Sequence, residues 1–406
     1  MKLPTWLKIV LRVLVVLSVV AVAWTTRWRA LTTLGVDFDE DDYLRAAQEY
    51  KALIKSGDWA GFMEANYRPE HPPLAKIIFG ISILGTEDAS LTNPEQQNWS
   101  LPQDQLLAAR SSSAVLGSLT AALVALVNPL AGLFLAVHAI TVKYTSQIML
   151  EALPAFTSMV TILAYLRWKK SVRTHSINNA PGGVPAAGEK GKSNFWMEIK
   201  SSSGWLVLSA AALGMTAASK YLYCVVGFAI LIDWVITSIE RRGETGKWKF
   251  PWEIFAWGAL SLVFFVLTDP YLWPDIFGRL KESLLFHTIY STTAPEIASA
   301  GFPTWQPILW FFFDIRTWNP NHAQALFFDL DWLIALAAVY GFILLWKRER
   351  LYVLWMIVGL AFLLAWPTKW PQYILTLTVP VTLAAGELCR WMGGRFVNLF
   401  KKPKAA

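Results

Sequence analysis

Apolar runs close to membrane length recur along this chain, and a polypeptide built from them has few ways to fold. A bilayer core takes roughly 20 helical residues to cross, and inside lipid every backbone polar group must be paired within the protein. The runs lie at about 8–27, 106–127, 130–142, 150–167, 204–219, 222–239, 254–268, 330–346, 352–366 and 373–389, each near that length or somewhat short of it. With 55% hydrophobic and only 16% charged residues among 406, the chain is too apolar for a soluble domain of its size. Many of its 22 tryptophans sit where the runs end (Trp24, Trp28, Trp168, Trp205, Trp234, Trp273, Trp346, Trp366, Trp370), as expected of rings anchored at headgroup level. The reading is an all-α polytopic membrane protein with about ten transmembrane helices.

The formal net charge of +7 would raise nucleic acid as a partner for a soluble protein, but here the positive-inside rule accounts for it. With Lys2 and Lys8 cytoplasmic, alternate connections place Arg167, Lys169, Lys170 and Arg173 on the same side. Arg241, Arg242, Lys247 and Lys249 follow there, then Lys347, Arg348 and Arg350, and finally Arg390, Arg395, Lys401, Lys402 and Lys404. Both termini are then expected inside a plasma (inner) membrane. Asp37 to Tyr43, His71, Arg110, Glu151, Lys220, Asp269 and Lys369 fall outside. Lys2, Lys8 and the Ala21-Val22-Ala23 triplet also fit a cleavable signal peptide, although the run reaches about 20 residues through Trp28, which favours a retained span.

Cys224 and Cys389 both fall in apolar runs without metal-like or redox spacing, so no disulfide is expected. Residues 171–203 have the Pro/Gly/Ser/Lys composition of a flexible cytoplasmic linker. No internal repeat of the kind found in many secondary transporters is visible. The whole chain, 1–406, reads as one transmembrane domain with two large outer loops, 28–105 and 274–328.

The first of these loops holds Asp37-Phe38-Asp39-Glu40-Asp41-Asp42-Tyr43 directly after the first span, and Glu70-His71-Pro72-Pro73-Leu74-Ala75-Lys76 later on. A carboxylate at the water–lipid boundary is costly unless solvated, paired or used. Leu44, Ala47, Tyr50, Leu53 and Ile54 recur at helical spacing and Gly57 offers a stop, so an amphipathic helix is expected, with Asp39 as its N-cap and Glu40, Asp41 and Asp42 in its first turn. Capping and solvation explain the acidic run as well as catalysis does. Pro72-Pro73 pre-sets a second juxtamembrane helix over Leu74 to Leu84. His71, taken alone, reads first as an ordinary loop histidine beside a rigid Pro-Pro turn.

The combination Asp39-Glu40-x-x-Tyr43, His71-Pro72-Pro73-Leu74-x-Lys76, and Arg110 opening Ala-Arg-Ser-Ser-Ser-Ala-Val-Leu-Gly-Ser-Leu resembles the protein O-mannosyltransferase family and its bacterial lipid-linked sugar transferase relatives. Similar landmarks continue in Met149-Leu150-Glu151-Ala152-Leu153-Pro154, in Leu213 to Lys220 and in Lys369-Trp370-Pro371-Gln372-Tyr373. The second acidic position is Glu151 here, where relatives often carry Asp. A large outer sugar-binding insertion and a C-terminal soluble domain are not expected, which leaves a protein acceptor open.

The resemblance implies a GT-C glycosyltransferase fold and inverting transfer of a sugar, mannose or a related one, from a polyprenyl-phosphate donor to a hydroxyl acceptor on a glycan, lipid or protein. It implies Asp39 as general base and Glu40 as its orienting partner. Arg110, Lys220, Lys369 and, more weakly, Lys76 are candidates to meet the leaving phosphate, while His71, Glu151 and Tyr373 are further substrate-binding candidates. Arg110, Lys220 and Lys369 also fit span-end anchors. Aromatic residues of the second loop, with His287, Asp314 and His322, suit a lid over the donor. Asp39, Glu40, Glu151 and His71 are possible ligand types, but their spacing is no metal signature, and no obligatory metal or other cofactor is expected. The rival reading is a transporter or flippase for a lipid-linked or small polar solute. Such a protein places its ionisable residues at mid-membrane.

Overall fold

Helix α1 (Thr5–Thr33) carries the first apolar run and, with nothing to break it, continues past Trp28, so the first outer loop starts later than expected. Its Ile9, Val13, Leu14 and Leu17 are exposed, a surface suited to lipid and not to water. The structure, a computed structural model, describes residues 4–90, 93, 96–178, 193–245, 252–313 and 329–399. The described residues form helices and connections, with no strand among them.

In the first loop, α2 (Glu40–Ser56) ends at Gly57, whose φ of 69° is left-handed backbone that glycine adopts without a side-chain clash. The short α3 (Trp59–Glu64) follows, and α4 (Leu74–Ser82) starts directly after the Pro72-Pro73 turn. Tyr43, Leu44 and Ala47 of α2 pack with Ala75 and Phe79 of α4. Full burial of Leu44 or Phe79 contributes about 1.5–3 kcal/mol each. The two helices approach this closely because Gly80 has no side chain; a Cβ there would lie 2.7 Å from the Tyr50 Cβ.

The bundle continues with α5 (Gln103–Val127), α6 (Pro129–Val137), α7 (Ala139–Tyr144), α8 (Ala152–Asn178), α9 (Ser193–Ala217), α10 (Val225–Thr245) and α11 (Trp252–Thr268). Then come α12 (Ile276–Thr293), α13 (Pro295–Ala300), α14 (Gln306–Leu309), α15 (Asp331–Arg348), α16 (Arg350–Ala365) and α17 (Leu375–Leu399). By length and composition, Thr5–Thr33, Gln103–Val127, Tyr221–Glu240 and Pro371–Phe396 can cross a membrane, and Ser203–Ala217, Trp252–Thr268 and Arg350–Ala365 are shorter apolar helices. The chain is a multi-pass membrane protein. α1 packs on α5, α8 on α9, α9 on α11, α10 on α16, and α17 on α6 and α15. Gly341 permits the last contact, since a Cβ there would overlap the Ala384 carbonyl.

Several expected boundaries differ. The apolar run at 130–142 is two short helices and not one span, because the Asp331 carboxylate accepts the Ala139 and Ile140 amides at 2.7 and 3.0 Å and starts a new helix after His138. The expected linker at 171–203 is helical at both ends, since α8 runs to Asn178 and α9 starts at Ser193; residues 179–192 lie outside the described residues. The second outer loop is largely α12 to α14, while its expected candidates Asp314, Trp318, Asn319 and His322 lie outside the described residues, as do Lys247, Lys249, Lys401, Lys402 and Lys404.

Candidate active site

The start of α2 is held by its neighbour in space, α5. Arg110 Nε and Nη2 donate to the two Glu40 carboxylate oxygens at 2.8 and 2.5 Å, and its remaining N–H groups reach the carbonyls of Leu31, Leu34 and Gly35 at 2.8–3.0 Å. All five guanidinium donors are thereby used. Glu40 also accepts the amides of Asp37 and Ile148 at 2.9 and 2.8 Å, and both side chains are shut away from solvent. This pair welds the last turn of α1 to the first turn of α2. Glu40 therefore faces Arg110 and not Asp39, and Arg110 faces carbonyls and a carboxylate and has no donor left for a phosphate.

Its consequence is the pose of Asp39. Although Asp39 occupies the N-cap position, its side chain makes no capping bond. Half-buried, it lines a cavity of about 1080 Å³. Burial, opposed by the nearby positive charges of Arg68 and Lys220, pushes its carboxyl up to about 6. The neighbouring acids are committed elsewhere. Asp41 holds Gln97 and Asn98, Asp42 takes bonds from the Tyr67 hydroxyl and from Arg68, and Asp37 pairs with Lys143 at 3.0 Å.

Across the cavity stands the loop that leads into α4, and a buried lysine shapes it. Lys76 Nζ donates to Asn66 Oδ1 at 2.6 Å and to the carbonyls of Tyr67, Arg68 and His71 at 2.8–2.9 Å. Four oxygens enclose it, so it points away from the cavity, and burial pushes its ammonium down to about 7. Around this centre the backbone turns tightly enough that Arg68 has a φ of 62°. Arg68 Nε donates to Glu70 at 2.7 Å and Nη1 to Asp42 at 2.6 Å, leaving Nη2 without a partner among the described residues in a side chain that lines the cavity.

Lys220, just after α9, supplies a second cation. It is paired with the buried Glu151 and lies 5.4 Å from the Tyr373 ring centroid. The Leu74 amide donates to the Ala218 carbonyl at 3.0 Å, which ties this segment to the start of α4. His71 sits between Tyr43 and His287, its ring tilted to both, at 6.3 and 5.6 Å between ring centres. Burial and the neighbouring cations keep its imidazole well below the ordinary histidine range, so it is neutral near pH 7. From α12, Phe286, His287 and Tyr290 line the same cavity, with His287 Nε2 3.2 Å from the Glu70 carbonyl.

Of the residues expected from sequence, the cavity brings together Asp39, His71, Lys220 and Tyr373. Glu151 stands behind Lys220 as its counter-ion. Glu40, Arg110 and Lys76 form the frame. Lys369 donates to the carbonyls of Leu364 and Trp366, satisfying the end of α16, while its neighbours Trp370 and Gln372 face the cavity. The sequence reading missed Arg68. A cation on the sparsely basic side needs a reason beyond orientation, and that signal could have found it. Among the described residues no three His, Cys, Asp or Glu side chains converge as a metal-binding group.

No family model matches the chain, and no curated protein matches it in sequence. Its fold does match solved structures. ArnT from Cupriavidus metallidurans, bound to undecaprenyl phosphate, aligns with a TM-score of 0.56 at 16% identity, over 95% of this chain and 62% of that one. The archaeal oligosaccharyltransferase AglB from Archaeoglobus fulgidus, in complex with an inhibitory peptide and a dolichol-phosphate, aligns with a TM-score of 0.51 at 12% identity, over 99% and 53%. The chain thus spans between half and two thirds of the length of these proteins. The likeness is one of fold, and the fold is the GT-C membrane bundle.

Proposed function

We propose that this GT-C chain is a membrane glycosyltransferase that moves a sugar from a polyprenyl-phosphate donor to a hydroxyl acceptor, with Asp39 as general base. The observation that carries the reading is Asp39 itself, an N-cap carboxylate that does not cap, placed in a large cavity with two cations beside it. That matched structures carry undecaprenyl phosphate or a dolichol-phosphate supports the class of donor.

In this reading Asp39 takes the proton of the acceptor hydroxyl as its oxygen bonds to the anomeric carbon. The bond from that carbon to the phosphate oxygen breaks, inverting the centre, and the lipid phosphate leaves with the electron pair. Arg68 Nη2 and Lys220 Nζ stabilise the charge that develops there, the role expected earlier of Arg110. Glu151 and Tyr373 hold Lys220 in place. His71, neutral, contributes a ring nitrogen for a sugar hydroxyl, and the aromatic residues of α12 and Trp370 offer faces for the sugar. The reaction needs no metal in this scheme. The distribution of basic residues supports an extracytoplasmic side for the cavity.

Purified protein incubated with a panel of polyprenyl-phosphate sugars, mannose first, and a hydroxyl acceptor is expected to release lipid phosphate with at least one donor. Absence of turnover with every donor and with acceptor extracts would sink the proposal.

A further inference from the structure

A second cavity, of about 840 Å³, opens at the other end of the bundle. The chain itself fixes that position. This cavity takes Arg12 from the beginning of α1 and Leu126 and Val127 from the end of α5, whereas the candidate active site takes the loop between those helices. Its walls are apolar, from Leu123, Leu163, Leu166, Leu208 and Leu383 among others.

The polar lining is uneven in its commitments. Arg348 is paired with Glu387 at 2.7 Å, Lys169 with Asp233 at 2.7 Å, and Glu349 accepts the Leu351 amide at the start of α16. Arg12 makes one bond, to the Leu126 carbonyl at 2.6 Å, and Arg167 makes none to any described residue. A third donor is built into the wall. Asn128 is only 5% exposed; its side-chain oxygen caps α6 by accepting the amides of Leu130 and Ala131, which fixes which way the amide points. The Nδ2 donor, buried in the cavity lining, then has no partner among the described residues. An unpaired buried donor of this kind carries a desolvation penalty that a ligand acceptor would remove.

We propose that this cavity binds the phosphate headgroup of an anionic phospholipid, with Arg12 and Arg167 as counter-charges, Asn128 Nδ2 as a neutral donor and the acyl chains along the leucine wall. The apolar lining favours a lipid over free phosphate, and so does the neighbouring surface of α1, where Ile9, Val13 and Leu17 are exposed to the hydrocarbon. The site is separate from the transfer reaction and its test does not depend on turnover.

The test is native mass spectrometry of the delipidated full-length protein titrated with dioleoyl phosphatidylglycerol, with the phosphatidylcholine of the same chains, and with inorganic phosphate. One phosphatidylglycerol should be retained in preference to phosphatidylcholine, and millimolar phosphate should not displace it. At about fivefold per surface cation, Arg12→Gln with Arg167→Gln should weaken retention roughly 25-fold. Arg167→Gln alone, which breaks no hydrogen bond or ion pair to a described residue, should weaken it roughly fivefold and covers the case in which the double variant does not fold. Lys281→Gln on the exposed face of α12, far from the cavity, should change nothing. Equal retention of the two lipids, unchanged retention in the Arg167→Gln variant, an equal loss with Lys281→Gln, or displacement by phosphate would each overturn the proposal.

Discussion

The two ends of the bundle treat their acids in opposite ways. At one end Asp233, fully buried, accepts from the Tyr165 hydroxyl, from Lys169 at 2.7 and 3.0 Å and from Arg350 at 2.9 Å, and so locks α8, α10 and α16 together. At the other end Asp39 makes no side-chain hydrogen bond among the described residues and faces a cavity. Its chain neighbour Glu40 behaves like Asp233, saturated by Arg110 and two amides. A carboxylate with every lone pair taken is a structural part. One that is held in place but left unsatisfied is available to take a proton.

Exchanging each acid for its amide should separate the two roles. Asp39→Asn is expected to lower lipid-phosphate release by roughly 100- to 10,000-fold while leaving the protein folded. Asp233→Asn should do the reverse, costing about 3–5 kcal/mol of stability because it strands Lys169 and Arg350, with turnover per folded molecule retained. Thermal unfolding and rate measured on the same preparations decide it, and two variants with the same profile would erase the contrast.

Next in size is Arg68→Gln. Loss of one preorganised donor to the developing phosphate charge should reduce kcat by roughly 100-fold, and the unfolding temperature should fall as well, because the buried Glu70 loses its partner. An unchanged kcat would return Arg68 to a purely structural role with Asp42 and Glu70. Arg110→Lys sharpens the comparison from the framing side, because a lysine cannot make the five bonds that join α1 to α2. It should lower stability by about 3 kcal/mol, and folded protein that survives should keep the wild-type midpoint of its pH profile.

The smallest effect concerns stability and pH. The Asp39 carboxyl is raised from 3.8 to about 6 on folding, so the folded state keeps a proton that the unfolded chain releases between those values. Stability should therefore fall as pH rises through that window. The pH dependence of the difference between wild type and Asp39→Asn should be confined to it, as followed by unfolding temperature against pH.

Much of this was legible in the sequence because it is local. The α2 helix and its Gly57 stop, the Pro-Pro start of α4 and the placement of Asp39 at a helix start all follow from patterns a few residues long. What was not legible depends on contacts distant in sequence. Glu40 finds its partner seventy positions away in α5, so its saturation, and with it the release of Asp39 as the free acid, could not be read from the acidic run. Lys76 was a weaker candidate to meet the leaving phosphate, but four oxygens of its own loop surround it. The left-handed backbone at Arg68 follows from that enclosure, and the break at His138 from a carboxylate in α15.

The pH dependence of kcat/KM for lipid-phosphate release tests the central claim most directly. With Asp39 as an uncoupled base, the rate should be level above about pH 7 and fall tenfold per unit below about 6, whereas Asp39→Asn should be slow and flat across the same range. A wild-type rate independent of pH between 4.5 and 8, or the same midpoint persisting in Asp39→Asn, would contradict it.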